Sequence, residues 1–234
     1  MSGLSSLEII LYAAGGGILP ALVWLLFWLR EDRKHPEPSQ RLLLSFLAGM
    51  LVVPLVIPFE TAVQKIFVSQ VGLFIIWAVI EEVGKFSSAY LSALRSKDDD
   101  EPLDPIIYLI TTALGFAALE NTLFLIGPLT QSGFVDSLIT GNLRFVGATL
   151  LHVLSSATIG IFIAFAFYKS RSYRAVQTLV GLFFAVALHA SFNLLIISYE
   201  GTGTLITFSL VWCALIIFIL LVERIKKIKK PKLV

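Results

Sequence analysis

The sequence predicts an all-α, polytopic integral membrane bundle of about seven transmembrane helices. Three observations carry this. Of 234 residues, 57% are hydrophobic and 15% charged, with a mean hydropathy of +0.87, against roughly 45–50% and 25% in soluble domains. The apolar residues fall into runs bounded by charge, Pro or Gly, each close to the ~20 residues that cross a bilayer. The basic residues gather in alternate connections between those runs. Seven runs use about 140 positions and leave no space for a separate soluble domain. That excludes a nucleic-acid reader, a secreted disulfide scaffold and a tethered cytosolic enzyme. The single cysteine, Cys213, rules out an intrachain disulfide.

The runs cover 9–29, 42–59, 71–94, 103–127, 144–168, 175–198 and 204–222. The first lacks a basic leader and is followed by Arg30, Arg33 and Lys34, so it is a retained span rather than a secretory signal. Its Gly15, Gly16 and Gly17 with Pro20 permit close helix approach or a kink. Pro54 and Pro58 bend the second span. The third carries Glu81, Glu82 and Lys85, the fourth Glu120 and Asn121, the fifth His152, the sixth His189 and Asn193. Spans one, two and seven carry no ionisable residue in their middles. The longest connection, Gly127 to Asn142, contains FVDSLI and is long enough for a short interfacial helix.

One set of connections holds Arg30, Arg33, Lys34, Arg41, Arg95, Lys97, Lys169, Arg171, Arg174 and the tail from Arg224 to Lys232; the other holds only Lys65 and Arg144. This asymmetry places the N-terminus outside and the C-terminus in the cytoplasm of a multi-pass cell-membrane protein. The acidic run Asp98 to Glu101 then reads as a solvated cytoplasmic connector.

An ionisable side chain at mid-membrane costs about 2.5–3.5 kcal/mol on insertion scales, so such groups face the bundle interior and mark function. With a rise of 1.5 Å per residue, Glu81 lies ~15 Å from its outer helix end, Glu120 ~10 Å, His152 ~12 Å and His189 ~13 Å. They share one layer although neighbouring helices run oppositely. Glu81 and Lys85, Phe116 and Glu120, and His189 and Asn193 are each four apart and share helix faces. Three carboxylates and one lysine in a low-dielectric layer demand relief by protons, histidine cations or a divalent metal. A general acid/base pair with donors for an oxyanion suits amide hydrolysis. No HExxH zinc motif, GxGD motif or rhomboid-type serine pattern occurs, and the seventh span has no lysine for a retinal Schiff base.

The series EEVGK (Glu81 to Lys85), FAALEN (Phe116 to Asn121), His152 with Gly160, and HASFN (His189 to Asn193) resembles the PrsW family of intramembrane proteases. That family is related to the CAAX-prenyl endopeptidases and bacteriocin-processing enzymes. The resemblance spans the third to sixth helices in order. It implies an endopeptidase that cuts a membrane-anchored protein, in some members an anti-sigma factor. By the resemblance, Glu81 and Glu82 match the tandem glutamates, Glu120 the acid of the phenylalanine motif, His152 and His189 the two histidines, and Asn193 the last polar position. Lys85, Phe116 and Asn121 are supporting residues. The fourth-span motif has Glu where the prenyl endopeptidases have His, which places this chain on the PrsW side, so that their farnesylated substrate does not carry over directly.

The expected mechanism has Glu81, helped by His189 or His152, activate a water, while Asn193 and the other histidine stabilise the oxyanion. Glu82 and Glu120 tune protonation or bind metal. A metal would be drawn from Glu82, Glu120, His152 and His189, and zinc suits such ligands. The expected partners are a membrane-anchored protein substrate and the lipid bilayer, with no nucleic acid. The whole chain, 1–234, is expected to form one domain, with core helices over about 71–198 and a basic tail over 223–234. Two other functions fit the composition. An ion or proton-coupled transporter would use the same Glu/His cluster, but the chain lacks paired halves with broken helices. An inactive membrane interaction protein would tolerate Glu81→Gln.

Overall fold

The computed structural model describes residues 4–33, 35–131, 147–198 and 202–231. These contain seven α-helices: α1 (Ser6–Leu29), α2 (Ser39–Ile66), α3 (Gln70–Ala89), α4 (Asp104–Gln131), α5 (Thr149–Phe165), α6 (Arg171–Ser198) and α7 (Thr202–Ile225). A π-helical turn, Tyr90–Leu94, continues α3. There is no strand among the described residues. Helices α1, α2, α4, α6 and α7 are long and apolar enough to cross a membrane; α3 carries the three charged groups of the EEVGK motif and α5 has only 17 residues. The all-α membrane bundle read from the sequence is therefore the observed class. Lys34, Arg144, the FVDSLI stretch and Lys232 lie outside the described residues.

Local chemistry starts and joins the helices. Ser5 and Glu8 form a reciprocal capping box at α1: the Glu8 N–H donates to Ser5 Oγ and the Ser5 N–H to the Glu8 carboxylate, at 3.3 and 2.8 Å. At the basic end Arg41 pairs with Asp98 at 2.8 Å, Lys226 with Glu31, and the Tyr108 hydroxyl donates to Glu37. The acidic run differs from the solvated connector expected. The N–H groups of Asp100 and Glu101 both donate to the Asp104 carboxylate at 2.7 Å, and Asp104 is buried. The run is folded back onto the first residue of α4, whose carboxylate gathers the amides that precede the helix.

Helix α4 is the hub, packed on α1, α2, α3 and α5. It is buried around its circumference, from Ile106 and Tyr108 through Leu114 to Ala118. The outer helices reverse the soluble pattern: Leu19, Leu26, Leu51, Leu55, Phe183 and Leu220 are exposed, as a lipid-facing perimeter requires. Two glycines set the α2–α4 distance. A Cβ on Gly49 would lie 2.0 Å from the Thr112 carbonyl oxygen, and one on Gly115 1.9 Å from that of Phe46. The two backbones touch there. Gly17 of α1 likewise sits against α4, at the Ala118 carbonyl, so close approach is the use made of a glycine in that run, and Pro20 lies inside an unbroken helix.

Helix α2 runs seven residues beyond the expected end at 59, through Pro58 to Ile66. Trp77 Nε1 of α3 donates to the Glu60 carbonyl at 3.2 Å and holds this last part of α2 in place. The extension brings an acidic residue, Glu60, into the helical bundle.

Candidate functional site

Glu81 and Glu82 are adjacent on α3, and successive residues of a helix are rotated by about 100°. One therefore faces the interior between α5 and α6, and the other faces the space between α2 and α4. Glu82 is the inward one, with no exposed surface. Its Oε1 accepts from Lys85 Nζ at 2.6 Å, Ser155 Oγ at 2.8 Å and His189 Nδ1 at 2.8 Å, and its Oε2 from Ser156 Oγ at 3.4 Å. Lys85 sits one turn on and is also fully buried. This is a saturated, charge-assisted network of the kind a buried ion pair needs.

Glu81 has a different environment. Its Oε2 is buried and makes no hydrogen bond. Three nitrogens stand just outside hydrogen-bond range: His189 Nε2 at 3.8 Å, His152 Nδ1 at 3.9 Å and Lys85 Nζ at 3.9 Å. One ligand atom each from Glu81, His152 and His189 can be chosen with all separations within 4.8 Å. With Nδ1 committed to Glu82, His189 turns its other ring nitrogen toward Glu81, the usual way a carboxylate behind a histidine orients a metal ligand. The donor set, two imidazoles and a carboxylate, is that of an open zinc site. The metal ligands expected from the sequence were Glu82, Glu120, His152 and His189. The structure instead groups Glu81 with the two histidines and leaves Glu82 and Glu120 behind them.

His152 of α5 is held on both ring nitrogens, by Lys85 Nζ at 3.0 Å on Nδ1 and by Glu120 at 3.1 Å on Nε2. Because lysine is a donor, Nδ1 accepts and Nε2–H donates to Glu120. Phe116, one turn before Glu120, meets the His152 ring edge-on at 5.1 Å, and Lys85 Nζ lies 4.8 Å from its ring centre. The two histidine rings are themselves 5.2 Å apart. Asn193 is half-buried one turn beyond His189 and makes no hydrogen bond to the other site residues among the described residues. Asn121 Nδ2 donates to Thr149 Oγ1 at 2.9 Å and ties α4 to α5.

A cavity of about 270 Å³ opens beside this cluster. Val53, Val56 and Ile57 of α2 form one wall, Phe116, Leu123 and Phe124 of α4 the other, and Glu60, Glu81 and Glu120 supply its acidic groups. Three contributors escaped the sequence reading. Ser155 and Ser156 follow His152 at the spacing that shares its face, a signal present in the sequence but weak. Glu60 stood beyond the expected end of its span, so its position there gave no sign of a membrane-buried carboxylate.

The chain matches the model of the family described as PrsW family intramembrane metalloprotease over residues 37–222. Among curated proteins it is 29% identical to Protease PrsW of Geobacillus kaustophilus over 208 residues, covering 85% of this chain and 87% of that protein. It is 28% identical to Protease PrsW of Clostridioides difficile over 196 residues, 78% and 79% of the two chains. With Protease PrsW of Bacillus subtilis it shares 26% over 183 residues, 77% and 80%. No solved structure matches. The family match takes in α2 to α6 and nearly all of α7, including every residue of the Glu/His layer, and the chain belongs to the PrsW family of intramembrane endopeptidases.

Proposed function

We propose that this multi-pass membrane peptidase cuts a membrane-anchored protein, an anti-sigma-factor-like regulator being the substrate type the family suggests. Its water is activated in the layer formed by Glu81, Glu120, His152 and His189. The observation that carries this is the Glu81 Oε2 atom, buried, without a hydrogen bond, and facing three nitrogens across gaps of 3.8–3.9 Å. Those gaps are too wide for direct bonds and suit an interposed ion or water. Glu81 and His189 would hold a divalent metal, joined by His152 where its Nδ1 exchanges the hydrogen bond from Lys85 for the ion, with zinc the best match to two imidazoles and a carboxylate. Such an ion supplies a water of lowered pKa and polarises the scissile carbonyl.

The protein groups divide the remaining work. Glu82 takes the Nδ1 proton of His189 as a hydrogen bond and fixes that ring. Lys85 neutralises Glu82 and holds the His152 tautomer. Glu120 lines the cavity and accepts from His152 Nε2–H. It is placed to take a proton from the attacking water and return it to the leaving amine as the C–N bond breaks. This gives Glu120 the base role that the sequence reading assigned to Glu81. Asn193, on the His189 face, remains the candidate oxyanion donor. The domain is the whole chain, with α3 to α6 as its catalytic core.

The test co-expresses candidate single-span membrane proteins with the wild type, Glu81→Gln and His189→Ala, and looks for a fragment that only the wild type makes. A fragment made equally by all three overturns the assignment. For the metal, exhaustive chelation of purified protein is expected to abolish cleavage and Zn²⁺ to restore it; full activity after chelation removes the metal and leaves a glutamate-activated water.

A further inference from the structure

We propose that Glu60 makes the cavity beside Glu81 a subsite for a basic side chain, so that the enzyme selects substrates carrying lysine or arginine next to the cleaved bond. The inference rests on the peptidase reading of the Glu81 layer and concerns what that layer accepts.

Glu60 is on the same face of α2 as Val53, Val56 and Ile57, at spacings of three, four and seven residues, and with them it lines the cavity. Its backbone is pinned by Trp77, which takes the Glu60 carbonyl as acceptor. Its carboxylate is half-buried and makes no hydrogen bond or ion pair among the described residues. The nearest cation of the site is already engaged: Lys85 lies 2.6 Å from Glu82 and 3.0 Å from His152. Glu81, only 8% exposed and with an oxygen that makes no hydrogen bond, lines the same cavity. Glu120, committed to His152, closes the side.

A half-buried carboxylate in an apolar-walled cavity, with no cation of its own, is matched by a ligand that is apolar along its length and cationic at its tip. Lysine and arginine are such groups: the methylene stem packs on Val56, Ile57, Leu123 and Phe124, and the head reaches Glu60. A neutral residue there leaves Glu60 desolvated without compensation, and an acidic one adds repulsion, so discrimination follows from the penalty as well as the contact. A metal held by Glu81 and the histidines leaves this carboxylate unmatched, because Glu60 is not among the three residues whose ligand atoms converge.

The experiment uses the full chain in detergent micelles. The probes are apolar peptides, N-acetylated and C-amidated, with Lys, Arg, Gln or Glu at each position in turn, and the cut is located by mass spectrometry. Wild type is expected to cut peptides with Lys or Arg beside the bond with kcat/KM about tenfold or more above the Gln and Glu peptides, mostly through KM. In Glu60→Gln that ratio is expected to fall to within about twofold of unity, and in Glu60→Lys to reverse toward the Glu peptides. Wild-type cleavage with no basic preference overturns the proposal even where the variants fail to fold, and so does a preference that survives in a folded Glu60→Gln. An uncapped peptide without Lys or Arg that is cut as well as the basic ones identifies a free amino terminus as the ligand and also overturns it. No cleavage of any peptide by wild type counts against the peptidase reading of the Glu81 layer itself, a different outcome from cleavage without selectivity.

Discussion

His189 donates from Nδ1 to Glu82 at 2.8 Å, and this places its Nε2 3.8 Å from Glu81. The two glutamates of one motif thus have separate duties, one orienting the ring and the other facing it. Glu82→Gln removes the orienting charge and leaves Lys85 buried without its partner. Loss of one member of a buried pair costs about 3–5 kcal/mol, and loss of such an orienting carboxylate lowers metal affinity or activity about 10–100-fold. The double variant Glu82→Gln with Lys85→Met is expected to recover thermal stability in detergent while cleavage stays low. Recovery of both would show that Glu82 acts only as a counter-ion.

Glu120 bonds His152 Nε2 and lines the cavity. Glu120→Gln keeps the shape and removes the proton acceptor, so kcat is expected to fall about 10²–10⁴-fold, the usual worth of general acid/base catalysis. On the metal reading of the site, metal content should change little, and so should the unfolding temperature. If the wild type binds a metal, a variant that loses it along with activity would make Glu120 a ligand instead.

The cavity depends on where α2 and α4 cross. Gly49→Ala inserts a methyl 2.0 Å from the Thr112 carbonyl oxygen, a contact with rigid backbone. Overpacking of this kind costs about 1–3 kcal/mol, and the helices must separate to relieve it. Both a lower unfolding temperature and reduced cleavage are expected, although Gly49 touches none of the Glu/His layer. An unchanged variant would mean that the crossing is not tight.

At the basic end, burial first and then the charges of Glu101 and Asp104 raise Asp32 from 3.8 to about 7. Burial and Asp104 raise Asp99 to about 7, and burial with Asp104 raises Glu37 from 4.5 to about 9. The folded protein therefore holds protons that the unfolded chain releases. Their contribution to stability is complete below about pH 4 and is lost as pH rises through 7 toward 9. The difference in unfolding temperature between wild type and an Asp32→Asn, Glu37→Gln variant is expected to move in the variant's favour between pH 5 and 9. A difference independent of pH would show that these groups are not protonated in the folded state.

The amino-acid sequence by itself determined that the chain lives in a membrane as an all-α bundle, and which four helices carry its reactive groups. Those are one-dimensional properties: run length is set against a fixed bilayer thickness, and a costly polar residue in an apolar run is visible wherever it falls. The common depth of Glu81, Glu120, His152 and His189 followed from the helical rise alone. Rotation and crossing are not one-dimensional. Only the tertiary structure decided that Glu82 faces Ser155 and His189 while its neighbour Glu81 faces the cavity, that Asn121 bonds Thr149 of α5, and that Glu60 joins the cavity lining at all. Adjacent helical residues diverge by about 100°, so what each meets depends on helices far away in the chain; here it depends on two glycines that let α2 lie directly on α4.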